Sequence, residues 1–280
     1  MKVTILGCGG SAGVPVLGAA SDEPGLAGRW GTCDPHEPKN RRTRASVLLE
    51  KPFTNPQTGV TAPFRLIIDT GPDFRQQLLA QNVPRIDAVL YTHCHSDHVA
   101  GLDELRAINR VLGHPVPVYG TAETFLELRQ RFSYAFKPWE GGTFYRAALD
   151  VHEIPLEGPL TIGPFSGVTF DQIHGNISSL GVRFGGFAYS TDVADMPAPS
   201  LRALAGVDSW VVDCFQYESH FSHGWLGQVL AWRDLIKPRR TILTHMGHRM
   251  DYATLKRELP AGVEPAFDGM NFTVPDPALG

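Results

Sequence analysis

Apolar residues come in short runs along this chain rather than in long stripes. Val3–Leu6 is β-branched and apolar and stops at glycine, which reads as a strand running into a loop. Ser46–Glu50 and Phe64–Ile68 are two further strand-like runs, with the turn-rich stretch Pro52–Pro63 reading as an insertion between them, and together they predict a meander. Phe74, Leu78 and Leu79 fall on a helical spacing within Asp73–Gln81. Arg85–Thr92 then reads as a strand, apolar enough at Ala88–Tyr91 to be central in a sheet. Val99, Leu102, Leu105 and Leu112 predict a helix beginning just beyond residue 98. The later pattern predicts a strand at Val116–Tyr119, a helix over 121–132, and strands at Tyr145–Ile154 and Val168–Ile173. A hairpin-like pair over Gly181–Ser190, a buried strand at Ser209–Cys214, a helix at Leu226–Ile236 and a strand at Arg240–Thr244 follow. No compositional linker or solenoid-length repeat interrupts this order, so one domain over 1–280 is expected. Early and late β runs separated by helices predict an α/β chain in which two sheets face each other.

Composition narrows the function classes. A chain of 280 residues with 42% hydrophobic and 19% charged positions is an ordinary globular protein, which excludes disorder, coiled coil and collagen. The net charge of −4 provides no broad field for a nucleic-acid backbone or an anionic membrane, so any phosphate recognition must be local. Arg41, Arg42 and Arg44, in the basic run 39–44, read either as a solvated face or as a grip on a substrate phosphate. Cysteines 8, 33, 94 and 214 form no C-x-x-C pair and are expected to be reduced. The opening apolar run is too short for a signal peptide and no run approaches a membrane span, so a cytoplasmic location is expected. The glycine-rich loop over 7–13 lacks both dinucleotide-binding and P-loop spacing and reads as a tight turn lining a site.

Histidine changes the picture, with 11 residues against 4 cysteines. The strand ending near Thr92 runs directly into His93-Cys94-His95-Ser96-Asp97-His98. Side chains at i and i+2 point the same way in an extended segment, so His93 and His95 can meet one ion while Asp97 and His98 turn to a neighbouring point. Four such polar groups at the end of an apolar strand would otherwise lack partners. Imidazole suits zinc, iron, nickel and copper, and carboxylate lets a harder ion such as manganese share the site; two divalent ions, zinc or manganese, are the cofactors expected. Further ligands should sit at strand ends, where His174, Asp192 and His245 lie; His152 rivals His174, and His114 reads as an ordinary loop histidine.

H-x-H-x-D-H, followed by single His, Asp and His residues at strand ends, resembles the metallo-β-lactamase superfamily. That resemblance implies an αββα sandwich with a dinuclear metal site at its rim. The opening ILGCGGSAGVP, the T-H-M-G-H at 244–248 and the F-D-G-M at 267–270 further resemble the cyclic phosphate phosphodiesterases of carbon–phosphorus lyase operons. The resemblance implies His93, His95 and His174 on one metal, Asp97, His98 and His245 on the other, and Asp192 bridging them. It places the catalytic histidine at His223, with His220 the nearby competitor. It also implies a structural zinc, toward which Cys33, His36 and His248 would contribute although the family's accompanying cysteines are absent. The expected chemistry is attack of an activated water on a small phosphodiester, with Asp97 orienting the water and His223 serving the leaving group. A same-fold hydrolase of a thioester, lactone or β-lactam is the rival, and a non-hydrolytic carrier like the pyrroloquinoline quinone accessory protein is a rival of another class. The partner expected is a small phosphorylated substrate; no membrane and no extended nucleic-acid surface are expected, and a homodimer is left open.

Overall fold

The computed structural model describes residues 1–18, 20 and 28–275. Six strands form most of a first sheet: β1 (Lys2–Gly7), β2 (Ser46–Thr54), β3 (Thr61–Ile68), β4 (Ala88–Leu90), β5 (Val116–Gly120) and β6 (Leu149–Glu153). The second sheet contains β7 (Gly158–Ile162), β8 (Phe165–His174), β9 (Ile177–Phe184), β10 (Phe187–Ser190), β11 (Ser209–Asp213), β12 (Arg240–Thr244) and β13 (Val263–Pro265). The last strand, β14 (Asn271–Thr273), returns to pair with β1, giving the orders β14-β1-β2-β3-β4-β5-β6 and β13-β12-β11-β10-β9-β8-β7. Helices α1 (Phe74–Ala80), α2 (Ser96–Val99), α3 (Leu105–Leu112), α4 (Ala122–Arg131), α5 (Ala198–Ala203), α6 (Leu226–Ile236) and α7 (Tyr252–Glu258) complete an αββα sandwich.

The two-residue side-chain period of a strand explains why the apolar runs of the first sheet are unbroken. Val3, Ile5, Val47, Leu49, Leu66, Ile68, Ala88 and Leu90 point into the core shared with the second sheet. Their neighbours Leu6, Leu48, Ile67 and Val89 point the other way, into a second core with Phe74, Leu105 and Phe125 from α1, α3 and α4. A strand buried on both faces needs apolar side chains at every position.

Each sheet is antiparallel on one side, through β14-β1-β2-β3 and β7-β8-β9-β10, and parallel from there to its other edge. β3, β4 and β5 run parallel, as do β10, β11, β12 and β13. Parallel strands bring their carboxyl ends to one edge, where α/β proteins place their chemistry. Among the described residues, no helix is long and apolar enough to cross a membrane.

Two local expectations are corrected. The stretch 52–63 is not a separate insertion, because β2 and β3 continue as one hairpin with Pro52 opposite Pro63 and a turn only over 55–60. β1 pairs no further than Glu50 and β4 begins pairing at Leu66, so both prolines sit where the ribbon's outer edges are open and a missing N–H costs no ladder bond. The single helix expected beyond residue 98 is broken: α2 begins inside the motif at Ser96 and carries Asp97 in its first turn, where an anion is favoured, a 3-10 turn spans Leu102–Glu104, and α3 starts at Leu105. A four-residue helix is too short to show a period.

Candidate metal centre

Every side chain of the rim cluster leaves the end of a strand or the turn that follows one. β4 leads into His93 and His95, α2 turns back with Asp97 and His98, and β8 ends at His174. Asp192 comes two residues after β10, Asp213 ends β11, and His245 follows β12 directly. Asp69 after β3, Asp192 and His245 all have positive φ, at 66°, 50° and 55°. Asp and His tolerate this region better than most residues, at a cost of about 1 kcal/mol or more each, and the strain turns the side chain back over the sheet edge.

Two sets of ligand atoms converge. His93, His95, His174 and Asp192 form one, and Asp97, His98, Asp192 and His245 the other, each with its ligating atoms within 4.8 Å of one another. In the first, His95 Nδ1 lies 3.1 Å from His174 Nε2, and Asp192 Oδ1 lies 3.5 Å from His174 Nε2 and 4.0 Å from His93 Nε2. In the second, Asp192 Oδ2 lies 3.0 Å from His98 Nε2 and 3.3 Å from His245 Nε2, while Asp97 Oδ2 is 3.3 and 3.5 Å from the same nitrogens. Ligands held about 2.0–2.2 Å from a tetrahedral ion stand roughly 3.3–3.6 Å apart, and several separations in both sets lie near that spacing. Asp192 offers one oxygen to each set.

The nitrogens that face inward are also those without a partner. His93 Nε2, His98 Nε2 and His245 Nε2 are buried and make no hydrogen bond. Leaving such atoms orphaned costs about 1–3 kcal/mol each, and a cation in each set would satisfy them. On His93, His98 and His174 the Nδ1 atoms are occupied, whereas His245 Nδ1 has no hydrogen-bond partner. Nδ1 of His93 lies 3.0 Å from Thr92 Oγ1, Nδ1 of His98 2.7 Å from Asp69 Oδ2, and Nδ1 of His174 2.5 Å from the Ser222 carbonyl oxygen. Thr92 gives its own hydroxyl proton to Asp69, which leaves its oxygen to accept from His93. With Nδ1 donating, Nε2 presents its lone pair to the centre.

Electrostatics divides the two sets. Burial holds His93 well below its usual pKa and lowers His95 and His174, so these rings are neutral. Burial alone would lower His98 and His245 too, but Asp192, with Asp69 and Asp97 around His98 and Asp97 and Asp213 around His245, raises them, His245 to about 9. Asp97 and Asp192 are held down against their own burial, Asp97 chiefly by His98 and Asp192 by His245 and His98. The centre is thus a pocket of buried carboxylates that demands positive charge.

Three residues that organise this centre escaped sequence reasoning. Asp69 fixes His98 and Thr92, and Thr92 fixes His93. Asp213 is fully buried, with Oδ2 accepting from His223 Nδ1 at 3.0 Å and from the backbone N–H groups of Val193 and Gly224, and with Oδ1 3.7 Å from His245 Nδ1. For Asp69 and Asp213 the signal in the sequence is a lone carboxylate ending each of two strongly apolar runs, Phe64–Ile68 and Ser209–Val212, a position much like that of Asp192. His223 is 8% exposed and reaches the cluster because Gly224 lies so close to the sheet end that a Cβ there would sit 2.5 Å from the Asp213 carbonyl oxygen. His220 lies further out, its ring 5.1 Å from that of His223.

The remaining candidates sit elsewhere. Cys33, His36 and His248 form no ligand group among the described residues. Instead the buried Arg42 guanidinium lies 3.9 Å from Cys33 Sγ and donates to Asn40 Oδ1 and to the carbonyl oxygens of Gly247 and Met250, tying this loop to the segment after His245. Arg42 is therefore committed inside the fold and withdrawn from substrate. Arg44 pairs with Asp73 at 3.0 Å, and Arg41 lies over the Trp30 ring. His152 pairs with Asp150 on β6 and stacks on Tyr119, and His114 is an exposed loop residue. The glycine-rich loop packs beneath the centre, with Gly10 donating to the Met246 carbonyl oxygen and facing the Phe215 ring.

Comparison with known proteins agrees with the geometry. A solved structure described as a new diphosphatase from the PhnP family matches with a TM-score of 0.82 and 30% identity over 98% of both chains. The zinc-bound PqqB structure from Methylobacterium extorquens shares the fold, with a TM-score of 0.72 at 20% identity over 98% of this chain and 100% of that one. A Porphyromonas gingivalis (strain ATCC BAA-308 / W83) protein named octanoyltransferase is 29% identical over the whole of this chain, which spans only about half of that relative, 53%. The family model for the β-lactamase superfamily domain matches residues 64–246, from β3 through the histidine motif to just past His245. The chain belongs to the β-lactamase superfamily, in its metallo-β-lactamase fold, and resembles the PhnP family within it.

Proposed function

We propose that this chain is a two-metal hydrolase of small phosphodiesters. The observation that carries the reading is the pair of ligand sets sharing Asp192, on a chain 30% identical over 98% of its length to a PhnP-family diphosphatase. His93, His95, His174 and Asp192 would hold one divalent ion, zinc or manganese, and Asp97, His98, His245 and Asp192 the other. Such a pair would supply Lewis acidity, polarising a phosphoryl oxygen and lowering the pKa of a water from about 15.7 towards ~7.

The chain's own residues do the rest. His95 is the most exposed of the ligands and marks the open side by which substrate enters. Asp97 keeps its second carboxylate oxygen for orienting the attacking water in line with the bond to be broken. His223 donates Nδ1–H to Asp213, which aims the Nε2 face away from Asp213 to protonate the departing oxygen or brace a phosphoryl oxygen.

One observation favours a second reading: the Porphyromonas gingivalis relative is named for acyl transfer, and a cation pair polarises a thioester carbonyl as well as a phosphoryl group. Metal-loaded protein assayed against bis-p-nitrophenyl phosphate, an octanoyl thioester, a lactone and nitrocefin separates the two. Phosphodiester turnover well above the others is the expected result, and preferred cleavage of any carbonyl substrate overturns the proposal. A carrier role has less support, since a binder has no need of a water-activating pair.

A further inference from the structure

The loop that carries His223 also carries a large apolar ring with no place in the core. Phe221 is 70% exposed, although its chain neighbour Ser222 accepts the Nδ1–H of His174 and so is fixed against the metal centre. The ring is not adrift: a Cβ placed on Gly175 would lie 2.9 Å from Phe221 Cε1, so Phe221 rests on the two-residue turn joining β8 to β9, next to His174. Ile177 pairs with His174 across that turn and therefore points to the same face of the sheet; it is 38% exposed. Two apolar side chains thus flank one ligand histidine at the mouth of a polar, charged site. Single exposed apolar residues need no explanation, but an anchored ring and a β-branched partner beside candidate ligands do.

We propose that Phe221, with Ile177, forms an open apolar subsite on which a planar ring of the substrate, a nucleobase in the favoured case, stacks while its phosphate lies at the metal centre. This deepens the phosphodiesterase reading and rests on it. The charged groups of the centre serve the phosphate, and Phe221 and Ile177 offer an uncharged surface beside it to the group the phosphate carries. A flat ring meets the face of Phe221 in one contact and loses no internal rotamers in doing so. A flexible alkyl chain would be immobilised on an open wall at a cost in conformational entropy for each bond fixed. Base–aromatic stacking also tolerates different bases, since each presents a π face.

The test compares substrates that differ only in the base. Metal-loaded wild-type protein is assayed with 2′,3′-cyclic AMP and with the 2′,3′-cyclic phosphate of methyl riboside. Its kcat/KM should favour the base-bearing compound by about 5- to 150-fold, the ~1–3 kcal/mol of one stack at about 1.4 kcal/mol per tenfold. Phe221→Ala should bring that ratio near one and Phe221→Trp should keep it; a ratio unchanged in Phe221→Ala overturns the subsite. Calorimetric binding of adenosine 5′-monophosphate and ribose 5-phosphate to the same proteins separates the two proposals. If neither cyclic phosphate is hydrolysed, the phosphodiesterase reading fails by itself. Tighter binding of the nucleotide in wild type, abolished in Phe221→Ala, then still supports the subsite, and equal binding of both compounds by wild type overturns it.

Discussion

Replacing Asp213 by asparagine changes one charge and almost no volume, and it tests whether the buried carboxylate behind His223 and His245 matters to catalysis. Oδ2 accepts three hydrogen bonds, from His223 Nδ1 at 3.0 Å, Val193 N at 3.1 Å and Gly224 N at 3.3 Å. An amide oxygen in that place keeps all three, but the bond to His223 is no longer charge-assisted, a loss of about 1–1.5 kcal/mol. The amide nitrogen then stands where Oδ1 did, 3.7 Å from His245 Nδ1, and presents a donor where the ring had an acceptor to face. His245 is thereby biased to carry its proton on Nε2, the atom aimed at Asp97 and Asp192, where a cation needs a lone pair. Loss of such an orienting partner typically costs 10–100-fold in metal affinity or activity. Metal titrations monitored by bis-p-nitrophenyl phosphate hydrolysis should show kcat at saturating metal reduced about tenfold or more, with the titration midpoint moved to higher metal. A folded Asp213→Asn protein with unchanged kcat and unchanged midpoint would refute this reasoning.

His223→Ala should retain its metal and lose about 10²–10⁴-fold in phosphodiester turnover, the loss steepening with the pKa of the leaving alcohol if His223 is its proton donor; full activity would remove His223 from the mechanism. Arg42→Ala leaves the carbonyl oxygens of Gly247 and Met250 and the Asn40 side chain without their donor, so denaturant unfolding should show a loss of at least about 2 kcal/mol. A raised KM with unchanged stability would instead return Arg42 to the substrate. Asp268 is buried beneath the glycine-rich loop, and burial raises its pKa to about 6 against hydrogen bonds from Thr43 and Cys8. The folded state therefore binds this proton more tightly than the unfolded chain, whose carboxyl titrates near ~3.9, and stability falls as pH rises between about 4 and 6. Unfolding measured at pH 4 and pH 7 should find Asp268→Asn gaining about 2–3 kcal/mol on the wild type over that interval; a constant difference between the two proteins would show that Asp268 is not shifted.

The part of the site legible in the sequence was the part with local pattern. H-x-H-x-D-H announces itself within six positions, and His174 and His245 stand directly at the ends of apolar runs while Asp192 follows one by two residues. Asp69 and Asp213 occupy the same kind of position, but no repeated spacing marks a carboxylate whose task is to hold a histidine from behind. Their role exists only once two parallel strand bundles bring their ends together. The long β2–β3 hairpin was hidden because prolines at 52 and 63 break the strand signal while costing nothing at an open ribbon edge. Elements such as β7, β13 and β14 have three to five residues, too few for a period to emerge. Arg42 looked like its neighbours Arg41 and Arg44, since a basic run does not say which of its members the fold will bury.

The sharing of Asp192 between two cations is tested most directly by counting them against activity. Metal-stripped protein titrated with zinc or manganese, with bound metal measured by elemental analysis and bis-p-nitrophenyl phosphate hydrolysis followed on the same samples, should take up two ions per chain. Turnover should appear as the second binds, and Asp192→Ala should lose both the second ion and the turnover. One ion or none per chain at full activity, or full activity retained in Asp192→Ala, would contradict the two-metal centre.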